Sequence, residues 1–376
     1  WVYWCSCIDR LWPYRQWRLP LGACEMWASQ AGGALCGCCR YLLSAGYISC
    51  LCCVDHLVAD LRLKPVYATD PGLVDAPLSD VPNQWAPAKG IHLYHFPLSL
   101  DSQKVRQGLE ELGVKWHSHV ILLPLQQQFS PSYVRINSRC VVPTLVIDGK
   151  VSTDTINILD TLASRFGPTN KCFETSEEEG ACVNDWVDKA ADLFIEALTY
   201  GEIEGVKKPF PIGGASQGGS YHQKKVELLS GLVETYKNDP TLRAAYEKKR
   251  AVIEATHGAM VTPGQISAII TATKAELVEL QTQLQTGPFN KGGWLASDAF
   301  SLADIQWGAV LYRLRWLGLQ PLLWEGDSII SAYAEKLFAR DSFQKGVVQW
   351  SKVGRKVVLP AIRYKLLKAI GLKRDV

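Results

Sequence analysis

A proline heads an apolar strand, and an Asp-Gly turn closes it: Val141-Val142-Pro143-Thr144-Leu145-Val146-Ile147, then Asp148-Gly149, then Lys150-Val151. Asp-Gly between apolar runs turns a tight hairpin. Proline lacks the N–H that a ladder needs, so it sits at strand starts and edges. Upstream, Ile91-His92-Leu93-Tyr94-His95-Phe96 alternates as a short strand that Pro97 stops. Val105, Leu109 and Leu112 then recur at helical spacing, with Ser99, Asp101 and Ser102 placed to cap the helix start and Gly113 to close it. Trp116 to Leu123 predicts a second strand. Thr155 to Phe166 predicts another helix, with Ile156, Leu159, Leu162, Ala163 and Phe166 on one side. Strand, helix, strand, proline-headed hairpin, helix is the order of a small α/β unit over residues 91–168.

A chain of 376 residues has room for two or three such units at about 150 residues each. Residues 169–340 read as helical. Val183, Trp186, Val187, Ala190 and Phe194 start an element running to about Tyr200, and further helices are predicted at Gln223–Asn238, Thr241–Thr256 and Gln265–Gln285. Lys207 to Ser220, with its Gly-Gly pairs, is a loop and lacks the Gly-Lys-Ser/Thr ending of a phosphate cradle. Ser301 and Asp304 have the S-x-x-D form of a capping box, with Phe300 placed to staple onto Ile305. Residues 1–90 differ from the rest. They hold nine of the twelve cysteines and six of the thirteen tryptophans, five of them in the first 27 positions, without helical or strand periodicity. Cys36-Gly37-Cys38-Cys39 and Cys50-Leu51-Cys52-Cys53 are spaced too closely for a structural zinc site, so no metal is assigned. Palmitoylated cysteines beside the apolar run Tyr41–Val54 are another reading. The stretch is assigned as a poorly ordered, targeting or non-native extension ending in a linker, Lys64 to Lys89. The chain opens on Trp1 rather than methionine, which leaves room for a longer reading frame upstream. Residues 341–376 form a basic amphipathic tail: Ser342 to Val376 carries nine Lys and Arg against Asp375 alone. Such a tail suits an anionic membrane surface, an acidic partner, or a fold back over a cleft with its charges in water. The net charge of +3 gives no global case for nucleic acid, and no apolar run reaches membrane-spanning length.

The segment Phe96-Pro97-Leu98-Ser99-Leu100-Asp101-Ser102-Gln103-Lys104-Val105-Arg106, with Val142-Pro143 downstream, resembles the N-terminal domain of soluble glutathione S-transferases. It is similar to the serine-type zeta and theta classes and to the tetrachlorohydroquinone dehalogenase branch. The resemblance covers residues 91–168 well, 175–340 more loosely, and excludes the first ninety. It implies a thioredoxin-like N-terminal domain followed by an all-α C-terminal domain, with a string like Ser301-Leu302-Ala303-Asp304 before a buried central helix. It also implies that Ser99 holds the glutathione sulfur as a thiolate, although position alone favours a simple helix cap. Pro143 would follow a cis bond that frees the Val142 backbone to pair with the tripeptide, and Asp154-Thr155 would grip the γ-glutamyl carboxylate. The family's pocket for the second substrate lies between the domains, where Trp186 and Tyr200 are candidates for substrate contact or for core. Three departures bear on this. Asp101 stands where the dehalogenase branch has cysteine. An anionic Asp101 near the sulfur opposes thiolate formation unless it points away. Asn137-Ser138-Arg139-Cys140 replaces an Asn-Pro-x-Gly run, and Cys140 is either a redox-active thiol or a small core residue.

The resemblance therefore implies a detoxifying glutathione transferase, with glutathione as cosubstrate or recycled cofactor and a small electrophile as partner. It implies a homodimer; the few scattered cysteines of the body point to a reducing, cytoplasmic compartment, or to an organelle if the extension is a targeting segment. Two alternatives stand beside it: a catalytically silent glutathione-binding protein, which the departures favour, and a glutathione-dependent dehalogenase or isomerase.

Overall fold

Four short strands make one mixed sheet in the order β2-β1-β3-β4. In this computed structural model the residues described are 86, 87, 89–167, 176–209, 220–352, 359 and 362, all within the unit Tyr67–Val376. The extension and most of the tail beyond Lys352 lie outside them. β1 (Ile91–His95) runs into α1 (Leu100–Glu111), which crosses back to β2 (His117–Val120). The two strands pair in parallel, with His92 opposite His117 and His95 opposite Val120. β3 (Thr144–Ile147) and β4 (Lys150–Thr153) form the hairpin, and β3 lies antiparallel to β1 with Tyr94 opposite Thr144. Strand alternation divides the core. Leu93, Leu145 and Ile147 pack with Val105 and Leu109 of α1 and with Ile158, Leu159 and Leu162 of α3 (Thr155–Phe166). Tyr94 and Val146 pack on the other side with Tyr133, Ile136 and Val142. Gly113 ends α1 at φ 62°, and the bonds Gly113 N–H to Glu110 O and Val114 N–H to Leu109 O close the helix as a Schellman turn.

The second strand is shorter than Trp116–Leu123. Pro124 cannot extend a ladder, and the chain turns through Leu123–Leu125 and Gln127–Phe129 into α2 (Pro131–Ile136), a helix with no counterpart in the sequence reading. Ser130 caps α2 by accepting the Tyr133 N–H at 3.3 Å.

The helical part comprises α4 (Glu177–Asp192), α5 (Ile195–Tyr200), α6 (Ser220–Thr235), α7 (Pro240–Val261), α8 (Gln265–Thr286), α9 (Leu302–Trp316), α10 (Gln320–Trp324) and α11 (Ser328–Phe338). The single element expected through Tyr200 is two helices. Leu193 is extended (φ −64°, ψ 122°) and its carbonyl accepts the Ile195 N–H, so Leu193 and Phe194 both turn toward the core. α9 is the buried axis, with Trp307, Val310, Leu311 and Leu314 fully enclosed. Its N-terminus carries the expected Ser301–Asp304 pair: the Asp304 carboxylate accepts the Ser301 N–H (2.8 Å) and hydroxyl (2.9 Å), the Leu295 N–H (3.1 Å) and the Tyr333 hydroxyl (2.7 Å). Burial still pushes this carboxyl above its usual range.

Residues 341–352 do not stand apart as a tail. They continue as the turns Asp341–Phe343, Gln344–Val348 and Gln349–Ser351, packed against α1. Gly346 lies so close to α1 that a Cβ there would come within 2.7 Å of the Gln107 backbone nitrogen. Trp350 meets the His95 ring edge-on at 4.7 Å. No helix of the described residues is long and apolar enough to cross a membrane.

Candidate functional site

Ser99 ends the turn between β1 and α1. Its N–H donates to Phe96 O (3.1 Å), and its backbone is extended (φ −68°, ψ 128°) while its carbonyl accepts the first helical bond, from Gln103. The side-chain oxygen accepts the Ser102 N–H at 3.2 Å. That bond is the N-cap, and it uses a lone pair of the hydroxyl, not its proton. Among the described residues the Ser99 hydroxyl proton has no acceptor. Capping and donation to a sulfur anion are therefore compatible in one rotamer. Ser102, fully buried, holds the turn from inside by accepting the Phe96 N–H at 3.3 Å.

Asp101 lies in the first turn of α1. Its side chain is 50% exposed and lies 3.3 Å from the Lys104 ammonium, which partly neutralises it.

The Val142–Pro143 peptide bond is cis. Val142 precedes β3, and neither its N–H nor its C=O has a hydrogen-bond partner among the described residues. The bend is fixed from behind. Asn137 Nδ2 donates to Val141 O (3.0 Å) and to Thr144 Oγ1 (2.9 Å), and the Tyr133 hydroxyl bonds the same two oxygens. Burial pushes the Tyr133 phenol far up, so it stays a neutral donor. Leu98 and Val142 belong to one apolar cluster, which brings the Ser99 turn and the prolyl bend together.

Asp154 caps α3 from a left-handed conformation (φ 78°), its Oδ1 accepting the Ile156 N–H at 3.2 Å. Its other oxygen pairs with Arg139 at 2.6 Å. Both carboxylate oxygens are thus engaged, and the groups left for an incoming anion are the N–H and hydroxyl of Thr155 at the helix head.

Cys140 resolves as a core residue. It is buried among Phe129, Val134 and Tyr246 at φ 54°, and burial pushes its thiol up to about 12. A thiol so placed stays protonated and out of reach, which removes the redox reading. Trp186 is likewise core, 5% exposed, with its carbonyl taken by the Trp307 indole N–H at 2.9 Å. Tyr200 is half-buried and stacks on Tyr221, and burial pushes its phenol up to about 12. No group of three or more His, Cys, Asp or Glu able to hold a metal occurs among the described residues.

Two residues without a role in the sequence reading stand beside Ser99: Arg106 and Arg313, 0% and 6% exposed. The signal for them was available. A charge inside an apolar stripe must find polar partners within the fold, and both arginines interrupt such stripes.

The family described as glutathione S-transferase, N-terminal domain, matches residues 93–170. The chain is 29% identical to a 2,5-dichlorohydroquinone reductive dechlorinase of Sphingobium indicum, covering 69% of this chain and 83% of that one. It is 29% identical to a tetrachloro-p-hydroquinone reductive dehalogenase of Sphingobium chlorophenolicum, covering 68% and 94%. Among solved structures, the beta-etherase LigF of Sphingobium sp. strain SYK-6 has a similar fold, with TM-score 0.51 and 18% identity over 68% of this chain and 98% of that one.

Proposed function

We propose, on the premise that the chain belongs to the glutathione S-transferase superfamily, that it holds glutathione as a thiolate and directs the sulfur at a small electrophile. The observation that carries the reading is Ser99: a hydroxyl already oriented by its cap, its proton without an acceptor among the described residues, at the positive end of α1. A free thiol ionises near ~8.5, so unassisted glutathione is mostly protonated at neutral pH. A hydrogen bond to the anion and the helix dipole both favour the charged form. The tripeptide's cysteinyl backbone pairs with the open Val142 N–H and C=O as an added strand beside Pro143. Its γ-glutamyl carboxylate takes the amide and hydroxyl of Thr155 beside Asp154 at the head of α3, where the dipole favours an anion. Binding supplies proximity and orientation. In the chemical step a sulfur–carbon bond forms as the bond from carbon to the leaving group breaks. The leaving group departs with that electron pair, and the thiol proton has already gone to solvent. We extend the reading to a cytoplasmic homodimer, which fractionation and sedimentation check.

The hydroquinone dehalogenase relatives give a second outcome its place. Reductive removal of halide needs a second thiol to take the glutathionyl group off the ring as a disulfide, and Asp101 offers none. A second glutathione from solution can supply it, leaving oxidised glutathione and the reduced ring. Mass balance distinguishes the two: a conjugate consumes one glutathione, whereas reduction yields the disulfide. Ser99→Ala should lower turnover of a generic halogenated electrophile about tenfold or more while retention on immobilised glutathione persists. Equal turnover in both proteins removes Ser99 from the mechanism. Retention without turnover in the wild type makes the chain a silent binder.

A further inference from the structure

Three consecutive carbonyls lead into Ser99, and each accepts a hydrogen bond from a buried guanidinium. Arg106 Nη1 donates to Phe96 O at 3.3 Å and Nη2 to Pro97 O at 2.9 Å. Arg313 Nη2 donates to Leu98 O. Arg106 is part of α1, inside the thioredoxin-like unit, and its Nε also binds Gly346 O at 2.7 Å. Arg313 comes from α9, the axis of the helical unit. The two units therefore grip the same turn from different elements, and the last peptide plane before Ser99 is held at its N–H by Phe96 O and at its carbonyl by the helical unit's Arg313. A guanidinium that fixes a carbonyl also fixes the plane behind it, and here that plane sets the direction of the Ser99 Cα–Cβ bond.

Charge adds to position. The groups facing this turn are Asp101 with its partner Lys104, Arg106 bonded to His95, and Arg313, which faces Asp101 and the phenols of Tyr200 and Tyr312. At the head of α3 the Asp154 carboxylate is already matched by Arg139. Both Tyr200 and the His95–Arg106 contact leave the balance unchanged. The phenol stays neutral at ordinary pH, and His95 accepts from Arg106 through Nδ1, so that ring is neutral and donates Nε2–H to Ser118 Oγ. Lys104 already pairs with Asp101, and Arg313 brings a further positive charge that faces the same carboxylate. An arginine keeps its charge even when buried. Neighbouring positive charge favours an anion, the more so where solvent is excluded.

We propose that Arg313 is a positioning residue for glutathione activation: it fixes the Leu98 carbonyl, and through it the Ser99 hydroxyl, while its charge offsets that of Asp101 at the sulfur. The inference rests on the thiolate reading of Ser99. Its test uses the full chain with glutathione as the probe, following the ultraviolet absorption of the bound thiolate against pH. Arg313→Gln, which removes the charge, should move the bound thiol's titration upward by on the order of one pH unit. Asp101→Asn, a half-exposed change, should move it downward. Arg313→Lys, which keeps the charge and loses the planar fork, should lower kcat several-fold and leave the KM for glutathione nearly unchanged. A lost structural contact alone would lower the melting temperature without displacing the titration. Arg313→Gln titrating with the wild type overturns the proposal, and if that variant does not fold, an unchanged kcat in Arg313→Lys does so. A wild type that binds glutathione with no thiolate at neutral pH overturns the Ser99 reading itself, and this one with it.

Discussion

Replacing Ser99 by aspartate separates the two things its hydroxyl can do. A carboxylate still accepts the Ser102 N–H and suits the positive end of α1, so Ser99→Asp should melt with the wild type or above it. Ser99→Ala, by contrast, should cost about 1 kcal/mol as a lost cap. At neutral pH the carboxylate has no proton to give and repels a sulfur anion. Turnover should therefore fall at least as far in the aspartate variant as in the alanine one. Denaturant melts and rates on the same preparations check this, and an active Ser99→Asp enzyme would show that the hydroxyl proton plays no part. Asp239 offers a pH test away from the chemistry. It caps α7 through the Leu242 N–H (3.0 Å) and pairs with Arg135 of α2 at 2.6 Å. Burial pushes its carboxyl up, but the backbone N–H and the guanidinium outweigh that and hold it below the usual range. A depressed folded value means that the native state binds fewer protons than the unfolded one. The stabilisation is therefore complete above the ordinary carboxylate pKa of about 3.9 and lost as pH falls through the folded value. The gap in urea stability between wild type and Asp239→Asn should be open near neutrality and close in acid; asparagine keeps the cap, so a gap that stays constant would show that the carboxylate's charge is not its source.

At the scale of elements, the contact of Gly346 with α1 makes a definite prediction. A Cβ at Gly346 would lie 2.7 Å from Gln107 N and 2.9 Å from Arg106 C, both backbone atoms that cannot swing aside. Gly346→Ala should cost roughly 1–3 kcal/mol as overpacking. Gly231 in α6 has nothing within 4 Å of a new Cβ, so Gly231→Ala should gain about 1 kcal/mol from helix propensity. Opposite shifts in a denaturant midpoint check the pair. The same contact explains why this segment reads as a tail in sequence. Its lysines and valines carry the pattern of an amphipathic helix, and nothing local reveals that a glycine seats it on α1. Where periodicity and caps decide, sequence and structure agree: β1, α1, α3 and the box at Ser301 and Asp304 were all legible. Tertiary context decides elsewhere. α2 is too short to show a period, and the break at Leu193 arises because both it and Phe194 are drawn into the core. The candidate site divides the same way. For Ser99, Val142–Pro143 and Asp154–Thr155, position in the chain gives only the two helix caps and the proline-headed strand, and their roles toward glutathione rest on the family resemblance. Arg106 and Arg313 carry only the general signal of a charge within a buried helix, which does not name their partners, because those are carbonyls, which every residue has.

Across the whole molecule, the thioredoxin-like and helical units are joined through charge as well as apolar packing. Glu111, the last residue of α1, receives Arg340 in a two-point contact, Nε to Oε1 and Nη2 to Oε2, each 2.8 Å, with the Ser342 hydroxyl on the same carboxylate. The Glu111 side chain is 7% exposed and that of Arg340 is 27%. A carboxylate at a helix C-terminus opposes the dipole, and burial adds to its cost, so Glu111 depends on the guanidinium opposite it. Arg340 also lies 3.8 Å over the Phe300 ring, which ties it to the start of α9. Removing the arginine alone takes the two-point partner from a nearly enclosed carboxylate, and Arg340→Ala should cost about 3 kcal/mol or more. Removing both charges relieves that penalty, so the double variant Glu111→Ala/Arg340→Ala should be more stable than the sum of the singles predicts, with a coupling above about 1 kcal/mol. The junction that carries this coupling also holds Arg106 through Gly346, so Arg340→Ala should lose glutathione turnover along the same denaturation curve that tryptophan fluorescence follows. Additive singles, or turnover lost well before the fluorescence changes, would mean that the two units stand independently and that the Ser99 turn takes no support from the helical one.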